Sequence, residues 1–193
     1  MIVYRIIRIW HTYWGTLINK VAMSLSGVKY GKNFTSCGTM LIRNYSKAIK
    51  IGNYVSINSH SVANPIGGQN KTILVASGNG VISIGNKVGI SNSAIFSMNN
   101  IIIEDEVTIG ANCKIYDTDF HSSVPEYRLN GNTNIPSAPI VIKKRVFIGA
   151  HSIILKGVTI GKESVVGAGS IVTKDIPGGE IWAGVPARFL KKI

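Results

Sequence analysis

Residues 142–177 read IKKRVFIGAHSIILKGVTIGKESVVGAGSIVTKDIP, and every sixth residue from Ile142 is aliphatic: Ile142, Ile148, Ile154, Ile160, Val166 and Val172. Four places after each come Val146, Ser152, Val158, Ser164, Ser170 and Ile176, which are mostly small or branched. Neither a helix (period 3.6) nor a plain strand (period 2) produces six by itself. A short strand plus a corner does, with three such units closing one turn of a triangular coil, and a fixed period of this kind marks a solenoid.

The phase extends upstream with interruptions. Ile84, Ile90 and Phe96 form one inward register, with Val88 and Ala94 in the small slots. Ile103, Ile109 and Ile115 form another, with Val107 and Cys113, and the shift between the two asks for one extra residue near Asn99 and Asn100. Ile51, Ile57 and Ala63, with Val55 and Ser61, give an earlier register. Val28 to Ala48 reads as atypical first coils, as expected of a terminal repeat. Corner positions that need a left-handed backbone fall on glycines and on Asn53, Asn86 and Asn112. Two segments leave the rhythm: 64–79, and 117–139, an excursion of 23 residues with three prolines. Loops of that length are uncommon and usually functional.

The fold class read from this is all-β, a β-helix of hexapeptide repeats. It divides into an N-terminal helix over 1–26, the β-helix over 27–180 with its loop 117–139, and a C-terminal tail over 181–193. Two cysteines and no disulfide framework suit a reducing cytoplasm. The formal net charge of +12 is spread along the chain, without the dense basic stripe interleaved with aromatics that a nucleic-acid surface shows. Clusters at Lys143-Lys144-Arg145 and at Arg188, Lys191 and Lys192 offer places where a phosphorylated ligand docks.

In the N-terminal segment Ile2, Ile6, Ile9, Tyr13, Leu17, Val21 and Leu25 recur at three- and four-residue steps, an amphipathic helix. Arg5, Arg8, His11 and Lys20 make it a poor transmembrane span, and it lacks the layout of a secretory signal. The first expectation is that this helix covers the open end of the coil. Trp10, Trp14 and the basic residues keep peripheral contact with the inner face of a membrane as a second one.

Four histidines and nine acids must carry any chemistry. His121 closes the run Asp117-Thr118-Asp119-Phe120-His121, where the coil ends and the long loop begins. An imidazole at a coil edge, with carboxylates two and four places before it, has what a general base requires: one nitrogen oriented, the other free to take a proton. A solvated loop histidine is the competing reading. His151 points outward, and His60 and His11 have no convergent partners. No three histidines are spaced for a metal. Cys113, in an inward slot, reads as a buried thiol and not as a nucleophile. Asn99 and Asn100, at the register break, are candidate acceptor contacts or simply a corner.

Ile148-Gly149-Ala150, Gly157 to Gly161, Val166 to Pro177 and, most specifically, Ala183-Gly184-Val185-Pro186-Ala187-Arg188 resemble the C-terminal signature of hexapeptide-repeat O-acetyltransferases of the galactoside/maltose and polysaccharide types. The resemblance runs from about Ile101 to Arg188. It implies a left-handed parallel β-helix, homotrimers, and acetyl-CoA and acceptor bound in clefts between subunits, with no metal. By position His121 matches the family's catalytic base. From the run itself Asp119 is the candidate orienting group, with Asp117 as its competitor. Ala150, Ala168, Thr173, Lys174 and Arg188 match the family's CoA contacts. Asn99, Asn100, Asp117, Arg128 and Phe147 are the expected acceptor contacts. Phe147 stands where the family usually has Trp, and His121-Ser122 where it often has His-Pro. The expected reaction is direct acetyl transfer to a hydroxyl of a sugar or polysaccharide precursor. Serine, an amino sugar or an antibiotic as acceptor, and a non-catalytic structural solenoid, remain as alternatives.

Overall fold

The structure, a computed structural model, describes residues 2–193. Helix α1 (Ile2–Leu25) leads into coils of three short strands each. The first coil is β1 (Lys29–Tyr30), β2 (Thr35–Cys37) and β3 (Leu41–Asn44), and the second is β4 (Ile49–Ile51), β5 (Ser56–Asn58) and β6 (Ile73–Ala76). The third is β7 (Val81–Ile84), β8 (Gly89–Ser91) and β9 (Ala94–Ser97), and the fourth is β10 (Asn100–Ile103), β11 (Thr108–Ile109) and β12 (Lys114–Tyr116). After the long loop, which carries the short helix α2 (Pro125–Leu129), come β13 (Ile140–Ile142), β14 (Phe147–Ile148) and β15 (Ile153–Ile154), then β16 (Thr159–Ile160), β17 (Val165–Val166) and β18 (Ile171–Val172). Every third strand stacks in parallel, giving a first sheet β1-β4-β7-β10-β13-β16, a second headed by β2 and a third headed by β3. This is a left-handed parallel β-helix, an exception to the right-handed rule for parallel crossovers.

The six-residue rhythm sets the core. Ile142, Ile148, Ile154, Ile160, Val166 and Val172, with Val146, Ser152, Val158, Ser164, Ser170 and Ile176, are all buried. A fully buried Ile or Val contributes about 1.5–3 kcal/mol relative to exposure, so rows repeated through the coils supply most of the driving force. The serines hydrogen-bond to backbone carbonyls at the corners, as Ser152 Oγ does to Gly149 O at 2.8 Å.

Four expectations about the coils change. Val28 to Ala48 is a regular coil: β1, β2 and β3 pair with β4, β5 and β6, and Phe34 lies in the core. The third side of the second coil is carried by Leu74 of β6 and not by Ala63, because the chain first makes the excursion from Ser59 to Thr72. Asn53 and Asn86 leave the left-handed conformation to Tyr54 and Lys87 (φ 58° and 56°), while Asn112 adopts it. The two asparagines build a ladder instead: Asn53 Oδ1 accepts from Lys32 N, Asn86 Oδ1 from Asn53 N and Asp105 Oδ1 from Asn86 N, at 2.6–2.9 Å.

The fourth change bears on the site. Five residues, not six, separate the inward Ile90 from the inward Ile95, and Ile95 pairs with Ile115 and Leu74. A one-residue slip turns a strand over, so Phe96 faces out. The chain recovers the phase across Met98 and Asn99, where the structure places two extra residues before Ile101 and Ile103 resume the inward rows.

The tail is an ordered hairpin that begins one residue earlier than expected. β19 (Glu180–Gly184) extends the second sheet beside β17 and returns antiparallel as β20 (Ala187–Lys192). Trp182 and Ala187 seal that end of the core. At the other end Met23 of α1 enters the core beside Val28 and Phe34. The rest of α1 also lies on the first coil, but not through its apolar stripe. Ile2, Ile6, Ile9, Tyr13, Leu17, Val21 and Leu25 are all exposed, and the face laid on the first coil carries Gly15 and Asn19. A Cβ on Gly15 would stand 2.6 Å from Gly38 N, so only glycine permits that approach. Asn19 donates to Gly38 O and accepts from Met40 N, both at 2.9 Å.

Candidate active site

The three sheets meet at three long edges, and the candidate residues divide among them. The loop 117–139 leaves from the edge between the third and first sheets, after β12 and before β13. Asn99, between β9 and β10, and Asn100, the first residue of β10, lie on the same edge one coil below, and Thr173 and Lys174 lie on it two coils further along, after β18. Ala150 and Ala168 sit on a different edge, between the second and third sheets, and are stacked there: Gly169 N donates to Ala150 O at 2.8 Å. Phe147 is half exposed on the outer face of the second sheet. Arg188 is on β20 at the end of that sheet.

The loop is fastened at its neck. Thr118 bridges Ser137 in antiparallel fashion, Asp119 N donates to Pro136 O at 3.1 Å, and Ala138 N donates to Asp117 O at 3.0 Å. Phe120 takes a left-handed backbone (φ 61°) and lays its ring on Phe96 and Tyr116, with centroids 4.8 and 5.4 Å away. The register slip at Ile95 supplies that platform, since it is what turns Phe96 outward. Asn132 then spans the next turn: its Nδ2 donates to Phe120 O at 2.8 Å and its Oδ1 accepts from Ser122 N at 3.1 Å. His121 stands between these two pinned residues with its side chain exposed. Nothing in the sequence marked Asn132, an asparagine eleven residues away inside an irregular loop.

The two carboxylates are engaged elsewhere. Asp117 is fully buried and accepts from Ser97 Oγ at 2.6 Å, Met98 N at 2.8 Å and Asn99 N at 3.0 Å. It closes the register break and is not available to orient His121 or to touch an acceptor, which corrects both expectations. Asp119 Oδ1 accepts from Lys156 Nζ at 2.6 Å, tying the loop neck to the corner between β15 and β16. That ion pair fastens the chain two residues before His121. Arg128 Nη1 donates to Ser122 O at 2.9 Å, so its guanidinium braces the loop from within. Asn99 Nδ2 donates to Ser137 Oγ at 3.3 Å across the neck.

Other sequence candidates resolve as structure. Lys143, Lys144 and Arg145 do not form a free anion site: Lys143 pairs with Glu104 at 3.0 Å, Lys144 with Glu106 at 3.5 Å, and Arg145 with Glu106 and Glu163 at 2.7 and 3.0 Å. The hydrogen bond from Arg145 holds the Glu106 and Glu163 carboxyls below their usual range. Cys113 is buried against Gly149 O at 3.2 Å, and desolvation pushes its thiol up. His60 and His11 do converge, stacked at 4.1 Å where α1 meets the second coil, and burial followed by His11 lowers the pKa of His60. Among the described residues no cluster of His, Cys, Asp or Glu could hold a metal ion.

The family described as hexapeptide repeat of succinyl-transferase matches residues 100–115 and 139–174, stopping on either side of the long loop. Both matched stretches fall on the six-residue repeat that forms the coils. It is 43% identical to the galactoside O-acetyltransferase of Escherichia coli over 117 residues, 58% of this chain and 57% of that protein. It is 48% identical over 65 residues to a Staphylococcus aureus 2,3,4,5-tetrahydropyridine-2,6-dicarboxylate N-acetyltransferase, of which it covers 27%. The chain thus spans little more than half of the first of these relatives and about a quarter of the second. Among solved structures, the N-acyltransferase AntD from Bacillus cereus, in a complex of a point mutant with dTDP and coenzyme A, matches 90% of this chain and 88% of its own, at TM-score 0.71 and 27% identity. A hexapeptide-repeat acetyltransferase from Vibrio cholerae O1 biovar eltor, complexed with acetyl coenzyme A, matches 90% and 74% at TM-score 0.56 and 25% identity.

Proposed function

We propose that this protein is an acetyl-CoA-dependent O-acetyltransferase acting on a sugar or polysaccharide precursor, assembled as a homotrimer, with His121 as general base. One observation carries the reading: an exposed imidazole stands between two held residues, Phe120 and Ser122, on the edge that also holds Asn99 and Asn100, while the small-residue strip at Ala150 and Ala168 runs along another edge of the same subunit. A single copy cannot bring the two together. A threefold assembly can, by setting the loop edge of one subunit against the strip of its neighbour.

The strip fits an extended thioester arm. A Cβ on Gly149 would stand 2.5 Å from Ala168 N, so the corner stays narrow and smooth, and a Cβ on Gly169 would meet open space. Lys174, whose Nζ lies 5.3 Å from the Trp182 ring centroid, and Arg188, exposed on β20, supply cations for phosphates at the far end. His121 takes the proton from the acceptor hydroxyl as that oxygen attacks the thioester carbonyl carbon. The tetrahedral oxyanion collapses with loss of the CoA thiolate, a far better leaving group than an alkoxide, so no covalent enzyme intermediate is needed. Gly149 N donates to Val166 O, which leaves the Ala150 amide as the corner donor for the oxyanion. Phe147 presents its ring on the neighbouring face, and Asn100 opens β10 beside the acceptor.

The acceptor chemistry divides two readings. The 43% identity to a galactoside O-acetyltransferase favours a hydroxyl. The fold-wide likeness to AntD, one mutant of which is complexed with dTDP-4-amino-4,6-dideoxyglucose, favours an amino sugar on a nucleotide. Release of free CoA from acetyl-CoA, measured over a panel of hydroxyl sugars and 4-amino sugar nucleotides, tests them. We expect the turnover with the best hydroxyl acceptor to exceed that with any amine. A preference for amines reverses the acceptor assignment, and no turnover over a broad panel contradicts the proposal.

A further inference from the structure

The outer face of α1 is built to meet something. The helix is 24 residues long, about 36 Å. Ile6, Trp10, Tyr13, Leu17 and Val21, 46–65% exposed, run down the middle of an apolar arc that covers about half its circumference. Contiguous apolar patches larger than a few hundred Å² are rare on monomers and mark interaction sites. The helix is mounted inside out, with its small and polar residues against the coil, so folding of this chain does not cover the arc.

Charge identifies the occupant. Residues 1–103 contain ten Lys and Arg and no Asp or Glu, and all nine acids follow at or after Glu104. The end of the solenoid that carries α1 is therefore uniformly basic. Arg5, Arg8 and Lys20 rim an open groove of about 660 Å³ along one flank of the arc, with Ile9, Tyr13 and Leu17 between them. A second copy laid on this face would bring cations against cations, with no carboxylate on either helix to pair them. An anionic bilayer supplies both the missing charge and an apolar layer. Among the described residues no helix is long and apolar enough to cross a membrane, so α1 would lie along the surface, Trp10 and Trp14 at headgroup depth.

We propose that α1 docks this protein on anionic lipid, with the Ile6–Val21 face immersed and Arg5, Arg8 and Lys20 at the headgroups. The proposal is independent of the acyl-transfer reading, since none of these residues belongs to the candidate site. The test is co-sedimentation of the full-length protein with vesicles of phosphatidylglycerol and phosphatidylcholine in equal parts, against phosphatidylcholine alone, together with Trp emission. Binding to the anionic vesicles only, weakening as salt screens the headgroups and accompanied by a blue shift, is expected. Trp10→Ala/Trp14→Ala and Arg5→Glu/Arg8→Glu should each reduce the bound fraction by roughly tenfold or more, with thermal stability and assembly size unchanged. Failure to bind anionic vesicles overturns the proposal. So does a Trp10→Ala/Trp14→Ala variant that changes the size of the assembly but not its lipid binding, which would assign the face to a second copy.

Discussion

Replacing His121 by Ala is expected to lower turnover by about 10²–10⁴-fold, the range that a positioned general base contributes. The side chain is exposed, so the variant should fold and keep the thermal stabilisation that CoA confers on the native state. The loss should fall on kcat and leave the Km for acetyl-CoA nearly unchanged, because the imidazole acts on the acceptor proton. Rates within a few fold of the parent would remove His121 from the chemistry and reduce it to a surface residue of the loop. The backbone on either side of His121 is restrained: Phe120 is stacked on Phe96 and Tyr116, Asn132 bonds to both backbone neighbours, and Asp119 is held by Lys156. Such restraints on an exposed loop cost conformational entropy, and positioned reacting groups are what that cost provides.

Asp117→Ala should be the most destabilising single change on this edge. The carboxylate is fully buried and satisfies one hydroxyl and two backbone N–H groups. Each donor left buried without a partner costs about 1–3 kcal/mol, and two backbone amides have no rotamer by which to escape. A net loss of about 2–5 kcal/mol follows, which for a chain of this size lowers the Tm by about 5–15 °C. Asp117→Asn should lose less, because the amide keeps one acceptor oxygen. Thermal unfolding of both variants checks the order, and a Tm within a degree or two of the parent for Asp117→Ala would show that Met98 and Asn99 find other partners.

The two cases mark how much the sequence discloses. From Ile142 to Ile176 each side chain votes for the same phase, so the coil, its inward rows and its small corners are legible without coordinates. Upstream, Phe96 reads as inward because an aromatic at the sixth position fits the rhythm as well as Ile95 one place earlier. Only strand pairing with Ile115 shows that the chain has dropped a residue. Asp117 was misread for a related reason. Closeness along the chain placed it beside His121, whereas a coil edge turns successive residues in different directions, and this one turns into the core. In α1 periodicity correctly marks an apolar stripe but cannot say what it faces. The contact with the coil is made by Gly15 and Asn19, whose value lies in close approach and hydrogen bonding and not in hydrophobicity. Asn132 could not be found at all, since its partners are brought to it by a loop with no repeat.

The central claim is that the imidazole edge of one subunit works on a thioester lying along another subunit's Ala150–Ala168 strip. Its most direct measurement is the activity of mixed assemblies of His121→Ala subunits with Ala168→Trp subunits, co-expressed under two affinity tags and purified through both. Each variant alone should be inert, the first for want of a base and the second for want of room along the strip. The mixture should recover turnover well above either parent, because some interfaces pair an intact loop edge with an intact strip. Mixed assemblies as inactive as their parents would place base and thioester within one chain and contradict the account.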